Sequence, residues 1–147
     1  MKRTLTLSLL LVFLSVLLAS TTSAKPASDF LGTLYTMAGI MFSIGMGIIC
    51  AINLEKVKNI KFYKAIKTNI LQVRNIYLYY FATISVGYLA YQLAPEFELA
   101  ITIQGVAITF RLSLLVALLT VLSIVYFTLN FLAIQKLNFQ ITEKSNQ

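Results

Sequence analysis

Residues 96–112 read EFELAITIQGVAITFRL, and whether they form a helix or two strands decides the fold of this 147-residue chain. A helix here would simply lengthen the apolar run that follows. The periodicity is two rather than 3.6. Phe97, Leu99, Ile101 and Ile103 alternate with Glu98, Ala100, Thr102 and Gln104; after Gly105, Val106, Ile108, Phe110 and Leu112 alternate with Ala107, Thr109 and Arg111. Folding about Gln104-Gly105 sets Ile103 against Val106, Ile101 against Ile108 and Leu99 against Phe110 on one face. The other face then holds Thr102 with Ala107, Ala100 with Thr109, and Glu98 with Arg111. The alternation therefore predicts a β-hairpin over about residues 97–111, with Glu98 and Arg111 as a structural ion pair. A helix would instead carry Arg111 one or two turns into an apolar span, where an ionisable residue is expensive. Open strand edges cannot lie in hydrocarbon, so the hairpin is expected outside the membrane, on the extracytoplasmic surface.

Two apolar stretches flank this segment. Residues 113–134 are long enough to span a bilayer and are followed by Lys136; residues 76–94 form a second span that Pro95 terminates. Tyr77, Tyr79 and Tyr80 crowd one end of that span and Tyr88 and Tyr91 the other, a distribution expected of aromatic belts at the two interfaces. Among the polar residues of the last span, only Asn130 suggests a hydrogen bond to another helix. Residues 135–147 are polar and are expected to be a frayed cytoplasmic tail.

Residues 55–75 carry Lys56, Lys58, Lys61, Lys64, Lys67 and Arg74 against the single acid Glu55. Such an excess between apolar segments marks the cytoplasmic side of a membrane. Phe62, Ile66, Ile70, Val73 and Tyr77 recur at helical spacing, opposite Lys61, Lys64, Thr68, Gln72 and Asn75, so residues 58–75 read as a basic amphipathic helix. Lying at the inner headgroup level, it would aim Lys61, Lys64 and Lys67 at the anionic inner leaflet, each contributing about 1 kcal/mol. Docking of an acidic cytoplasmic partner is the alternative use of those lysines.

Residues 30–54 form the first span of the mature chain, about 37 Å long as a helix. Gly39, Ser43, Gly47 and Ala51 recur every four residues and make a small-residue ridge for helix packing, against a span of the same chain or against another protomer. Cys50 has no acid, base or second thiol near it in the sequence and reads as a packing residue. Residues 1–24 have basic Lys2 and Arg3, an apolar middle and a small polar end, the form of a signal peptide cleaved after Ala24. An uncleaved anchor is the competing reading. Either version leaves residues 25–30 outside and the C-terminus in the cytoplasm.

Composition agrees with a membrane class: 59% of residues are apolar, 12% are charged, and the mean hydropathy is +0.83. The formal charge of +7 is dispersed around apolar runs, which membrane topology explains better than nucleic-acid binding does. Without histidine and with one cysteine, the chain lacks the usual ligands and nucleophile–base pairs, so no metal, cofactor or catalytic residue is expected. The five acids, Asp29, Glu55, Glu96, Glu98 and Glu143, all lie outside the spans, which disfavours an ion-coupled transporter.

Taken together, the sequence predicts an all-α membrane protein with a cleavable signal peptide and three transmembrane helices in the mature chain. A cytoplasmic basic amphipathic helix and an extracytoplasmic β-hairpin complete it. The expected role is a non-enzymatic subunit or scaffold of a cell-envelope assembly in the inner membrane, as a homo-oligomer or with other membrane-protein subunits. An oligomeric pore, holin-like or transporter component is the alternative. The signal, the Gly-rich first helix and the basic loop before a second helix, over residues 1–94, resemble in architecture the pilin-like subunits of type IV secretion and conjugation systems. That resemblance implies a secretion-system subunit, while the long basic helix, the hairpin and the extra span depart from the pilin plan.

Overall fold

The computed structural model describes residues 2–22, 24–52, 59–103 and 106–145, and side chains within 10–141 of these except 103, 106 and 107. In chain order the elements are α1 (Lys2–Thr21), α2 (Ser28–Ala51), α3 (Ile60–Leu93), β1 (Glu98–Ile103), β2 (Val106–Arg111) and α4 (Leu112–Ser145). The chain is thus mostly helical, with one two-stranded antiparallel sheet. Two helical segments, Ser28–Ala51 and Leu112–Ile141, are long and apolar enough to cross a membrane.

The hairpin has the register that the alternation predicts. Ile103 pairs with Val106, Ile101 with Ile108, Leu99 with Phe110, and Glu98 with Arg111. The expected turn, Gln104-Gly105, lies outside the described residues, as do residues 53–58 with Glu55, Lys56 and Lys58.

Two helices run further than expected. The amphipathic segment 58–75 and the span 76–94 were predicted as separate elements, whereas α3 passes through both without a break. No Gly or Pro occurs between Ile60 and Ser85 to interrupt the backbone hydrogen bonds, and the buried residues Ile66, Tyr77, Ile84 and Tyr91 keep one helical period throughout. Asn59 caps its start, its Oδ1 accepting from the Lys61 and Phe62 amides at 3.0 and 3.3 Å. Likewise α4 continues beyond residue 134 into the expected tail, because Ile141 is buried seven residues after buried Ile134. The span expected at 76–94 is not among the two segments apolar enough by composition, since its five tyrosines and Gln92 lower the mean hydropathy.

The chain divides into two compact units. One comprises residues 1–36 and 83–122, the other residues 37–82 and 123–147. In the second unit, Tyr77 and Phe127 are fully buried with ring centroids 4.7 Å apart, and the Tyr77 hydroxyl donates to the Phe127 carbonyl at 2.7 Å. Phe42 stacks on Phe81 at 4.2 Å, and Tyr80 on Tyr126 at 4.7 Å. In the first unit, Tyr88 stacks on Tyr35 at 4.5 Å, and the Tyr35 hydroxyl is 2.9 Å from Ser85 Oγ. Tyr77 and Tyr91 are therefore buried and Tyr88 half-buried, so these rings pack against neighbouring residues in addition to any place at an interface. Asn130 also departs from expectation: its amide donates to Tyr126 of its own helix at 2.8 Å, which satisfies it locally.

Candidate functional site

The first unit concentrates its charge where the hairpin meets α4. The strand register brings Arg111 beside Glu98, and Arg111 Nε donates to Glu98 Oε1 at 3.1 Å. Arg111 Nη1 reaches two further acceptors, the carbonyls of Thr22 at 3.0 Å and Ala24 at 3.3 Å. These carbonyls follow the C-terminus of α1, the negative end of its dipole, where a cation is favoured. Lys25 completes the cluster, its Nζ 3.2 Å from Glu98 Oε2.

Each partner alters what the others can do. Lys25 foremost, and Arg111 beside it, hold the Glu98 carboxyl below its ordinary range. With a side chain only 13% exposed, Arg111 is largely withdrawn from water yet has carboxylate and carbonyl partners, so its charge is compensated. Next to the cluster opens a cleft of about 430 Å³ whose walls include Tyr91, Pro95, Glu96 and Phe97. The arrangement holds a hairpin to the residues after α1. It presents no nucleophile poised beside a base, and no group of three metal-ligating side chains converges among the described residues.

The other singled-out residues lie elsewhere. Lys61, Lys64 and Lys67 are exposed on α3, and Lys67 Nζ stands 6.0 Å from the Tyr63 ring centre. Among the described side chains of the second unit the charged ones are all basic. On α2, a methyl group at Gly39 would lie 3.9 Å from Phe81, whereas at Gly47 it would meet open space; Ser43 and Ala51 are exposed. The ridge thus faces outward along most of its length. The close approach falls instead at Gly45, where a Cβ would collide with the ring of Tyr77. The four-residue spacing of the ridge passes Gly45 by. Also missed were Lys25, and Ser20, Thr22 and Ala24, whose contacts with the hairpin span about 87 residues of sequence or more. The one hint in the sequence was an edge strand with backbone donors to satisfy.

Fold and cluster together define a mostly helical chain with a salt-linked hairpin and two segments suited to a bilayer. No known protein family matches it, and neither a curated protein nor a solved structure does.

Proposed function

We propose that this protein is a small, non-enzymatic integral membrane subunit or scaffold of a cell-envelope assembly. The observation that carries the reading is the exposure of its most apolar helices. Only 17% of the apolar window in α2 and 33% of that in α4 is buried, whereas the core helix of a soluble protein is mostly covered. Ile40, Ile44, Val125, Leu129 and Leu132 are all at least 45% exposed, a surface that lipid satisfies and water does not. Val86, Leu89 and Leu93 extend such a surface along α3, at 68%, 62% and 87% exposure, which supports residues 76–94 as a third span.

Lys61, Lys64, Lys67 and Lys136 support an orientation with these ends of α3 and α4 at the cytoplasmic face of the inner membrane and the hairpin outside. The hydroxyls of Thr33, Thr36 and Ser43 return to carbonyls of their own helix, so α2 offers no unsatisfied polar stripe to line a pore. Crosslinking in native membranes followed by mass spectrometry tests the role. Reproducible crosslinks to other envelope proteins, weakened by charge reversal at Lys61, Lys64 and Lys67, are expected. Ion flux from the purified protein in liposomes, with no crosslinked neighbour, would overturn the scaffold reading in favour of a pore.

A further inference from the structure

A two-stranded sheet has two outer edges, and here they differ. The Leu112 amide donates to the Phe97 carbonyl at 3.3 Å, so these two residues form a hydrogen-bonded pair. By the period of two, Leu99 with Phe110 and Ile101 with Ile108 do the same. Glu98, Ala100 and Thr102 of β1, and Thr109 and Arg111 of β2, consequently turn their backbone groups outward. On β2 the chain supplies one partner itself, because the Thr109 amide donates to Ser20 Oγ at 2.9 Å. On β1 the three residues are exposed, and no hydrogen bond to their outward backbone groups occurs among the described residues.

Edges that must stay single usually carry lysine, proline or a bulge. β1 has none of these, its one charge is held at the end of the strand by Arg111 and Lys25, and Leu99 and Ile101 are 54% and 62% exposed. We propose that β1 is a dimerisation edge whose occupant is β1 of a second copy, antiparallel, with Ala100 opposite Ala100 on the two-fold axis. This register uses all three outward residues of both copies, about six hydrogen bonds. It sets Thr102 of the second copy opposite Glu98, where the hydroxyl donates to the carboxylate, and Leu99 against Ile101. Parallel in-register pairing would instead stack Glu98 on Glu98. With α1 in place against β2, the assembly closes as a dimer and does not propagate.

The proposal rests on the membrane-subunit reading, which confines the hairpins of all copies to one side of a bilayer. Disulfide trapping in native membranes tests it, in a Cys50→Ser background. Ala100→Cys is expected to give a reductant-sensitive dimer and Thr102→Cys to stay monomeric, because the register keeps the two copies of residue 102 apart. Native mass spectrometry in detergent should show dimers, and Ala100→Lys should shift them to monomers by roughly tenfold or more in dissociation constant. An uncrosslinked Ala100→Cys, equal crosslinking at residue 102, or a ladder of higher oligomers would overturn the proposal. Retention of the chain in alkali-washed membranes reports separately on the underlying reading, so the two failures are distinguishable.

Discussion

A methyl group added at Gly45 and one added at Gly47 meet opposite surroundings on the same helix. At Gly45 it collides with the ring of Tyr77, which is fully buried and held by its hydroxyl bond to Phe127, so the ring has little room to yield. Gly45→Ala is expected to destabilise the protein by about 1–3 kcal/mol, the usual cost of overpacking. Gly47→Ala meets open space and removes backbone freedom, so it should be neutral or stabilising by up to about 1 kcal/mol. Thermal unfolding in detergent, followed by circular dichroism, compares the two; equal losses would show that Gly45 is not a contact point. Glu98 gives a second test at this scale. Its carboxyl is held below its ordinary value of 4.5, so the unfolded chain binds its proton more readily than the folded one. The stabilisation is therefore complete above about pH 4.5 and lost as pH falls through the lowered folded value. Hydrogen-exchange protection of the hairpin amides, corrected for intrinsic rates, should hold down to that pH and then fall. In Glu98→Gln it should start lower and lack this step.

At the scale of the element, α3 is where sequence and structure part most. A break near Asn75 would leave proline harmless there. In a continuous helix Asn75→Pro removes a hydrogen bond and clashes with the preceding turn, a cost of about 3 kcal/mol or more. A melting temperature within error of the parent would restore the two-element reading. The contrast with the hairpin is instructive. Alternation specifies strand register locally, since a slip of one residue would set the apolar side chains of β1 opposite the polar ones of β2, and the pairing of Glu98 with Arg111 followed from it. In α3 the lysine-rich and tyrosine-rich halves suggest two environments, but composition says nothing about helix continuity. That depends on the unbroken backbone and on buried positions, Ile66 through Tyr91, that keep their period across both halves. Tyrosines were equally ambiguous, because the same amphipathic ring suits an interface or a core that offers its hydroxyl a carbonyl. Tyr77 took the second course, and Tyr77→Phe should cost roughly 0.5–1.5 kcal/mol in the same unfolding assay. No cost would mean that ring packing alone holds Tyr77.

For the whole molecule, the fate of residues 1–24 matters most. Sequence favours cleavage after Ala24, yet contacts from both sides of that bond converge on the hairpin. Ser20 satisfies the outward amide of Thr109, and the Thr22 and Ala24 carbonyls accept from Arg111; across the bond, Lys25 pairs with Glu98. Cleavage would release three of these acceptors at once and leave Arg111 with Glu98 alone among its described partners, although the arginine is largely withdrawn from water. The hydrogen bonds are satisfied most completely with α1 in place, and we expect α1 to be retained as a fourth membrane helix. Lys2 and Arg3 would then keep the N-terminus in the cytoplasm, and α2, α3 and α4 would cross as their flanking charges require. Intact-mass measurement of protein purified from native membranes decides the matter. A mass that includes residues 1–24 is expected, and a chain beginning at Lys25 would overturn the retention. Should retention hold, Ser20→Ala ought to raise the exchange rate of the Thr109 amide several-fold while leaving the Tyr77 and Phe127 core untouched, because the lost acceptor serves the hairpin edge and nothing in the second unit.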